Sequence, residues 1–377
     1  MRPLLLAWSN LLHTRMRTAA ATAGITFVVL LIFVQFGLLA AIVQAAVLVY
    51  DQLDFEIMLV SPHYVFLNHT GTFPRHRLHQ AATQPGVARA TPLYLALPMW
   101  QNAHTRLRYR LRMLGFHPED AVFLLPEPAA QQAVLRAPDT VLIDSRSRPE
   151  CGPLAVGSVT EVERRTVTIG GHYTLGLDLR AIGSIMVSAQ NFARILPGHD
   201  LANVHLGLVK VASGVDPDLM AQHLRQALPP DVLPLTRAAL AHVEQRYWVE
   251  ATSTGIIFGT GSLLAFLVGA VVIYQVLATD IANHLVEYAT LKALGYRNTF
   301  LSAVVLSQAL CLAVMGFPPA LGLAFGVYAV IRHTAYFPIH MTLARLVTVL
   351  ALTVLMCALS ALVAVRKVHR ADPAELW

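Results

Sequence analysis

The chain has 377 residues, of which 55% are hydrophobic and 13% are charged, against roughly 25% charged residues in a typical soluble domain. This composition excludes a soluble globular protein, a disordered chain and a disulfide framework, the last because there are three cysteines in the whole sequence. The formal net charge is +6.

Four stretches contain no Asp, Glu, Lys or Arg, and each is long enough to cross a bilayer, which takes a helix of about 20 apolar residues. The predicted transmembrane helices are 18–50, 251–279, 299–331 and 346–365. We therefore predict an α-helical membrane protein with four transmembrane helices. The first stretch is too long for the apolar core of a cleavable signal peptide, so we interpret it as an anchor.

The basic residues that flank these stretches predict the orientation of the chain. Eight are expected on the cytoplasmic side, and two lie in the short loop 332–345. The eight are Arg2, Arg15, Arg17, Lys292, Arg297, Arg366, Lys367 and Arg370. We expect both termini in the cytoplasm of a bacterium, with an interfacial helix at 1–17, a coupling segment at 280–298 and a tail at 366–377. The chain is then a multi-pass protein of the bacterial inner membrane.

Residues 51–250 are predicted to form an α+β periplasmic domain inserted between spans 1 and 2. This segment holds equal numbers of basic and acidic residues, so the basic pI near 9.4 reflects membrane topology and no nucleic-acid partner is expected. We predict a strand at 55–67 that is interrupted at Pro62, strands at 106–113, 140–144, 159–170 and 204–211, and helices at 74–83 and 217–228.

An arginine row at alternate positions marks the strand 106–113 and has two interpretations. It is either a solvated sheet face with acidic residues on the neighbouring strand, or a surface for an acidic partner or a lipid headgroup. The row consists of Arg106, Arg108, Arg110 and Arg112.

Glycines and prolines in the apolar stretches predict helix packing and bending. Gly255 with Gly259, and Gly322 with Gly326, have the small-xxx-small spacing that lets helices approach closely, either within one chain or between two copies. Gly316, Pro318 and Pro319 should kink or break the third span. A further helical pattern runs from Thr236 through Trp248 into the second span without a breaker. We expect one continuous helix there.

No residue pattern predicts catalysis or a cofactor in this chain. None of Lys210, Lys292 and Lys367 follows a glycine, as the lysine of a phosphate-binding P-loop must. If ATP drives this protein, a partner chain has to bind it with its Mg²⁺. Four histidines near the start of the outer segment lack a carboxylate at metal-site spacing, and we interpret them as loop residues: His63, His69, His76 and His79.

The segment 287–295, EYATLKALG, resembles the E-x-x-x-L-K/R-A-L/M-G signature of the FtsX/MacB-type ABC transporter permeases. The tail AVRKVHRADPAEL at 364–376 is similar to the closing pattern of that family. Segments such as FPRHRLHQA, ATPLYLAL and DTVLIDSRSRPECGP resemble its DevC-like branch. The resemblance spans nearly the whole chain.

The resemblance implies a dimeric permease that works with a separate ABC ATPase subunit and transmits its motion to the periplasmic domain. In the DevC-like branch, a membrane-fusion adaptor and a TolC-like outer-membrane channel complete the export path, and lipid or glycolipid is a candidate cargo. By position, seven residues would dock the ATPase, with Leu291 and Leu294 as anchors that become buried. The seven are Asp280, His284, Glu287, Leu291, Lys292, Leu294 and Gly295.

Three other classes of function remain as alternatives. The first is a mechanical regulator that couples ATP hydrolysis to a periplasmic partner such as a cell-wall hydrolase, without transport. The second is a membrane receptor, for which the cytoplasmic parts are short. The third is an intramembrane enzyme, for which no triad order, metal spacing or paired carboxylate stands out in the sequence.

Overall fold

The computed structural model describes residues 15–176, 180–284, 286–287, 290, 292, 294–334 and 339–369. The chain forms two compact units: Met1–Ala41 with Ser253–Trp377, which we call the helical unit, and Ile42–Thr252, which we call the sheet unit. Of the interfacial helix predicted at 1–17, residues 1–14 lie outside the described residues, as does the part of the predicted tail after residue 369.

Four helices are long and apolar enough to cross a membrane, as the sequence predicts. They are α1 (Arg15–Asp51), α8 (Ser253–Asn283), α9 (Asn298–Thr334) and α10 (Leu343–His369). The third helix continues through Pro318 and Pro319, so the prolines do not break it. Side chains from all four helices form one apolar core in the helical unit, including Ile25, Ile273, Val305 and Met356.

Polar side chains link these helices by donating to backbone carbonyls inside the apolar core. Thr26 Oγ1 donates to the Gly316 carbonyl at 3.2 Å, and Ser360 Oγ donates to the Ala270 carbonyl at 2.8 Å. Such bonds replace water where none is available, so they favour one packing of the helices over others.

Close packing in the single chain involves Gly316 and Gly269, which the small-xxx-small spacing does not single out. A Cβ on Gly316 would lie 2.7 Å from Cγ2 of Ile25, and one on Gly269 would lie 2.4 Å from Cγ1 of Val28. Among the glycines that the spacing predicts, Gly255 is buried, whereas a Cβ at Gly259, Gly322 or Gly326 would meet no atom of the described residues within 4 Å. Those three positions are therefore open in the single chain.

The sheet unit is built on a mixed sheet of eleven strands, in the order β13-β1-β12-β3-β6-β10-β7-β9-β8-β4-β5. A second sheet pairs β11 with β2. The strands are β1 (Ile57–Val60), β2 (Phe73–Pro74), β3 (Val87–Ala96), β4 (Met99–Gln101), β5 (Arg108–Arg110), β6 (Arg112–Phe116), β7 (Thr140–Asp144), β8 (Val159–Val162), β9 (Arg165–Tyr173), β10 (Ser184–Ser188), β11 (Asn203–Val204), β12 (Leu206–Val211) and β13 (Leu233–Thr236).

Both faces of β1 in the main sheet are covered, which explains why this strand is apolar without interruption. In β1, Ile57 and Leu59 belong to the core on one face, and Met58 and Val60 belong to the core on the other. The helices of this unit are α2 (His76–Ala82), α3 (Pro126–Ala130), α4 (Gln132–Arg136), α5 (Ala189–Ile195), α6 (Pro217–Ala227) and α7 (Arg237–Arg246), with a short 3-10 helix at Pro149–Cys151.

The predicted strand 204–211 is interrupted at His205, between β11 and β12, and two other predicted strands are interrupted as well. The segment 159–170 contains a turn between β8 and β9, where Glu163 and Arg164 adopt φ of 47° and 67°. The arginine row is divided by Leu111, which lies between β5 and β6. Neither break carries a glycine or proline, so the sequence has no marker for it.

The prediction of an unbroken helix from Thr236 into the second span is wrong. Helix α7 ends at Arg246, a π-helical turn covers Tyr247–Ala251, and Thr252 has an extended backbone with φ of −101° and ψ of 148° before α8 begins. The Thr252 hydroxyl donates to the Trp248 carbonyl at 2.7 Å, a local bond that competes with regular helix bonding. The regular helix is therefore interrupted at Thr252.

We predict that Gly316→Ala destabilises the protein by about 1–3 kcal/mol, the usual cost of overpacking a well-packed core. Its new methyl group would collide with Ile25 on the adjacent helix. Thermal unfolding of the detergent-solubilised variant, followed by circular dichroism, measures the effect. The matched control is Gly322→Ala, on the same helix but in open space, which should leave the midpoint unchanged or raise it. A lower midpoint for the control would reveal a contact that the single chain lacks.

Candidate functional site

Residues 280–283 of the predicted coupling segment belong to α8, and from here on the name coupling segment refers to the part between α8 and α9. This part carries the residues that the sequence motif singles out. Residues 286, 287, 290 and 292 are helical, and a turn follows at Leu294 and Gly295. The Leu294 amide donates to the Thr290 carbonyl at 2.9 Å, and the Gly295 amide donates to the Lys292 carbonyl at 3.0 Å. Gly295 has φ of +89°, which suits glycine and ends the helical segment before α9.

Part of this segment faces away from the chain. Leu294 is 72% exposed and Val286 is 66% exposed, with the exposed Glu287 between them in sequence. Lys292 is partly buried, and Leu291 lies outside the described residues. The outward side chains combine apolar surface with an acid, a composition suited to contact with another protein.

Asp280 and His284 have a different position from the rest of the predicted docking set. Asp280 lies inside α8, which extends to Asn283, and is 9% exposed. Its Oδ2 accepts a hydrogen bond from Nε2 of Gln308 on α9 at 2.9 Å. His284 Nδ1 lies 2.9 Å from the Asp280 carbonyl oxygen and 3.6 Å from Asp280 Oδ1. These two side chains face the interior of the helical unit.

The arginine row does not form one basic surface. Arg108 lies 3.9 Å from Glu161, two strands away across β4, where Gln101 pairs with both residues. This favours the solvated sheet face with acidic neighbours. Arg112 is buried at 7% exposure, and its Nη2 donates to Asn68 Oδ1 at 2.8 Å. Arg112, at one end of the row, therefore lies in the interior of the sheet unit.

A pocket of about 350 Å³ adjoins Arg112 at the ends of β3, β6 and β12. His205 lines it, and burial together with the nearby His199 lowers the pKa of His205 to about 4. The imidazole is therefore neutral at physiological pH. In the part of the chain that the structure describes, no three His, Cys, Asp or Glu side chains are grouped to hold a metal ion.

The structure adds a second set of functional candidates where α1 ends, which we call the α7 clamp: Arg237, Glu244, Tyr50 and Tyr64. Arg237, the first residue of α7, donates to the carbonyls of Tyr50 at 2.6 Å, Leu53 at 2.7 Å and Phe55 at 2.9 Å. Its guanidinium also lies 4.1 Å from the centroid of the Phe55 ring. A helix leaves its last carbonyls without partners inside the helix, and Arg237 supplies donors there.

Glu244 lies two helical turns after Arg237 on α7 and also bonds to the end of α1. Its side chain is fully buried, and its Oε1 accepts hydrogen bonds from the hydroxyls of Tyr50, at 2.9 Å, and Tyr64. Burial raises the pKa of Glu244, and the two tyrosine hydrogen bonds oppose that rise. The pKa of Tyr64 is raised well above its ordinary value by burial and by the neighbouring Glu244.

Aromatic side chains cover the clamp where α7 passes into the π-helical turn. Phe66 stacks on Tyr247 with ring centroids 4.2 Å apart and meets Trp248 edge-on at 6.1 Å. Arg180 lies over the Phe66 ring at 4.9 Å. These contacts exclude water from the buried carboxyl group.

The clamp is not among the sites predicted from the sequence, although the spacing of three of its residues indicates it. Arg237, Leu240 and Glu244 are spaced three and four residues apart, which places them on one face of a helix. A carboxylate on the same face as a buried leucine indicates a specific polar partner.

Comparison with known proteins assigns the C-terminal part of the chain. Residues 259–373 match the family model described as FtsX-like permease C-terminal. That match begins inside α8 and includes the coupling segment, α9 and α10. A search of curated proteins found no match.

Solved structures of two transporter domains align with about half of the chain. The periplasmic region of MacB from Actinobacillus actinomycetemcomitans has 9% identity and a TM-score of 0.36, and the alignment covers 52% of this chain and 94% of that domain. The extracellular domain of the noncanonic ABC-type transporter YknZ from Gram-positive bacteria has 10% identity and a TM-score of 0.33, with 48% and 99% covered.

We predict that Arg237→Ala destabilises the protein by about 3 kcal/mol, because buried carbonyl groups lose a charged donor. The thermal unfolding midpoint should fall accordingly. Arg246→Ala is the control on the same helix, since Arg246 pairs with Glu250 on an exposed surface and such pairs contribute little. Equal midpoints for the two variants would contradict the proposed role of Arg237.

The raised pKa of Glu244 predicts a specific pH dependence. A carboxyl group with a higher pKa in the folded state stabilises the fold at low pH, and this contribution is lost as pH rises from the unfolded pKa through the folded one. The Glu244→Gln variant stays neutral, so its midpoint should rise relative to that of the unmodified protein as pH increases from 4 to 8. Parallel curves for the two proteins would show that Glu244 keeps an ordinary pKa.

Proposed function

We propose that this chain is the permease subunit of an ATP-driven ABC exporter of the FtsX/MacB mechanotransmission type. Two copies would assemble with separate ATPase subunits that bind ATP and Mg²⁺. The assembly would lie in the bacterial inner membrane, with the termini and the coupling segment in the cytoplasm and the sheet unit in the periplasm.

The observation that carries this proposal is the coupling segment inside the match to the FtsX-like permease model. This segment joins two long apolar helices and turns exposed apolar side chains, Leu294 and Val286, away from its own chain. Exposed leucine and valine next to Glu287 suit a groove on a partner protein that is apolar at its centre and basic at its rim.

The α7 clamp supports a mechanical mode of action. Arg237 and Glu244 fix one short helix to the end of α1 through buried, partly charge-assisted hydrogen bonds. A displacement of the end of α1 would therefore move α7 with it, and with α7 the edge strand β13 that precedes it. A stroke produced by ATP binding in the partner subunit needs such a connection to reach the sheet.

Further partners follow from the same proposal. A membrane-fusion adaptor would bind the sheet unit, a TolC-like channel would continue the path across the outer membrane, and lipid or glycolipid would be the cargo. The open faces at Gly322 and Gly326 are available for contact between the two copies. A non-transporting regulator of a cell-wall hydrolase would use the same parts, and it is distinguished by a hydrolase in place of the adaptor.

The test of docking is Leu294→Asp in the full chain, co-expressed with a stand-alone ABC ATPase from a neighbouring reading frame of the same genome. A charge at the centre of an apolar contact should abolish co-purification of the ATPase, whereas the thermal midpoint of the permease stays the same because Leu294 is exposed. Pull-down through an affinity tag on the permease measures the first effect.

Leu107→Asp serves as the matched control, since Leu107 is also an exposed leucine but belongs to the sheet unit. It should leave ATPase recovery unchanged. Full recovery of the ATPase with Leu294→Asp would contradict the docking assignment, and an equal loss with both variants would show a nonspecific effect of the added charge.

A further inference from the structure

One hydrogen bond in the helical unit joins two side chains across two helices. Gln308 on α9 is 1% exposed, and its Nε2 donates to Oδ2 of Asp280 on α8 at 2.9 Å. The interhelical bonds of Thr26 and Ser360 end on backbone carbonyls, so they constrain the rotation of one helix. A bond between two side chains constrains the rotation of both.

The surroundings of this bond are apolar. Leu277 and Ile281 on α8, and Val304 and Val305 on α9, are all buried in the same core. A carboxylate accepts hydrogen bonds and cannot donate them, so the amide nitrogen of Gln308 is the group that suits it. In a medium of low dielectric, a hydrogen bond from an amide to a carboxyl oxygen is stronger than in water, and its loss leaves a buried polar group without this partner.

Asp280 also contacts the residue that follows α8. His284 follows the end of α8 at Asn283, and its ring returns to Asp280, with Nδ1 2.9 Å from the backbone oxygen and 3.6 Å from Oδ1. The carboxylate is thus held by α9 on one side and approached by the start of the coupling segment on the other. The direction in which the segment leaves the helix depends on both contacts.

We propose that Asp280 and Gln308 are positioning residues that fix the coupling segment for the ATPase, and that Asp280 does not contact the ATPase itself. The effect on ATPase binding rests on the proposed function. The tether between α8 and α9 is a property of the single chain and can be measured without any partner. A residue that docks the ATPase directly would give a different pattern of variant effects.

The experiment combines two measurements on the full chain in lipid nanodiscs. The first is amide hydrogen exchange of residues 286–295 in the permease alone, and the second is recovery of the neighbouring ABC ATPase by pull-down. The variants are Asp280→Leu, Asp280→Asn, Gln308→Leu and Gln308→Asn. The control is Gln275→Leu, which removes an exposed amide from α8.

Loss of the tether should accelerate exchange in the coupling segment by about threefold to tenfold, the range expected for an interhelical hydrogen bond in a membrane. Asp280→Leu and Gln308→Leu should both show this acceleration and should both reduce ATPase recovery. Asp280→Asn keeps an acceptor for Gln308 and should retain most of the protection, whereas Gln308→Asn is one carbon too short and should not. The double leucine variant should be no worse than either single one.

Two outcomes would overturn the proposal. Unchanged exchange in both leucine variants would show that the bond does not hold the coupling segment. Loss of ATPase recovery with Asp280→Asn but not with Gln308→Leu would show that the Asp280 charge contacts the partner directly. If the unmodified chain recovers no ATPase, the proposed function fails, and the exchange data still decide whether the tether exists.

Discussion

The carbonyl groups at the end of α1 impose the constraint on which the surrounding structure depends. They lie among the buried residues Val49, Tyr50, Leu53 and Phe55, where an unpaired carbonyl would cost free energy. Arg237 satisfies the carbonyls of Tyr50, Leu53 and Phe55 with one guanidinium group. Because Arg237 opens α7, the position of that helix is fixed from its first residue. Glu244 on the same helix lies in the core, where the hydroxyls of Tyr50 and Tyr64 donate to its carboxyl group.

The same physical arrangement occurs in the helical unit, where Gln308 meets Asp280. In each case an ionisable side chain is buried against neutral hydrogen-bond partners, a combination that specifies one arrangement more than it adds stability. The exposed pair of Arg246 and Glu250 shows the contrast, because solvent can replace either partner there at little cost. Both buried sites lie at the end of a long apolar helix, which is where a force along that helix would enter or leave it.

Several parts of the fold could be predicted from the sequence because a single local property determines them. Charge-free stretches of sufficient length give the four apolar helices. Strand β7 and helix α6, with its Asp216 cap, follow from residue pattern and capping chemistry alone. The turn at Glu163 and Arg164 and the break at Thr252 could not be predicted, since none of these three residues is a glycine or proline that would mark an interruption. Small-residue spacing likewise identified Gly322. That Gly316 contacts Ile25 on a neighbouring helix depends on the packing and cannot be read from the spacing.

The candidate docking set shows the same limit at the level of side chains. Asp280, His284 and Glu287 are separated by four and three residues, so an unbroken helix would place all three on one face. The helix α8 ends at Asn283 and the chain turns at His284, which separates the inward pair from the outward Glu287. On the proposed function, the docking set combines residues that hold the segment in place with residues that it presents to a partner, and periodicity does not separate the two groups. Burial separates them, since a side chain that is already bonded to Gln308 inside the core has no surface to offer.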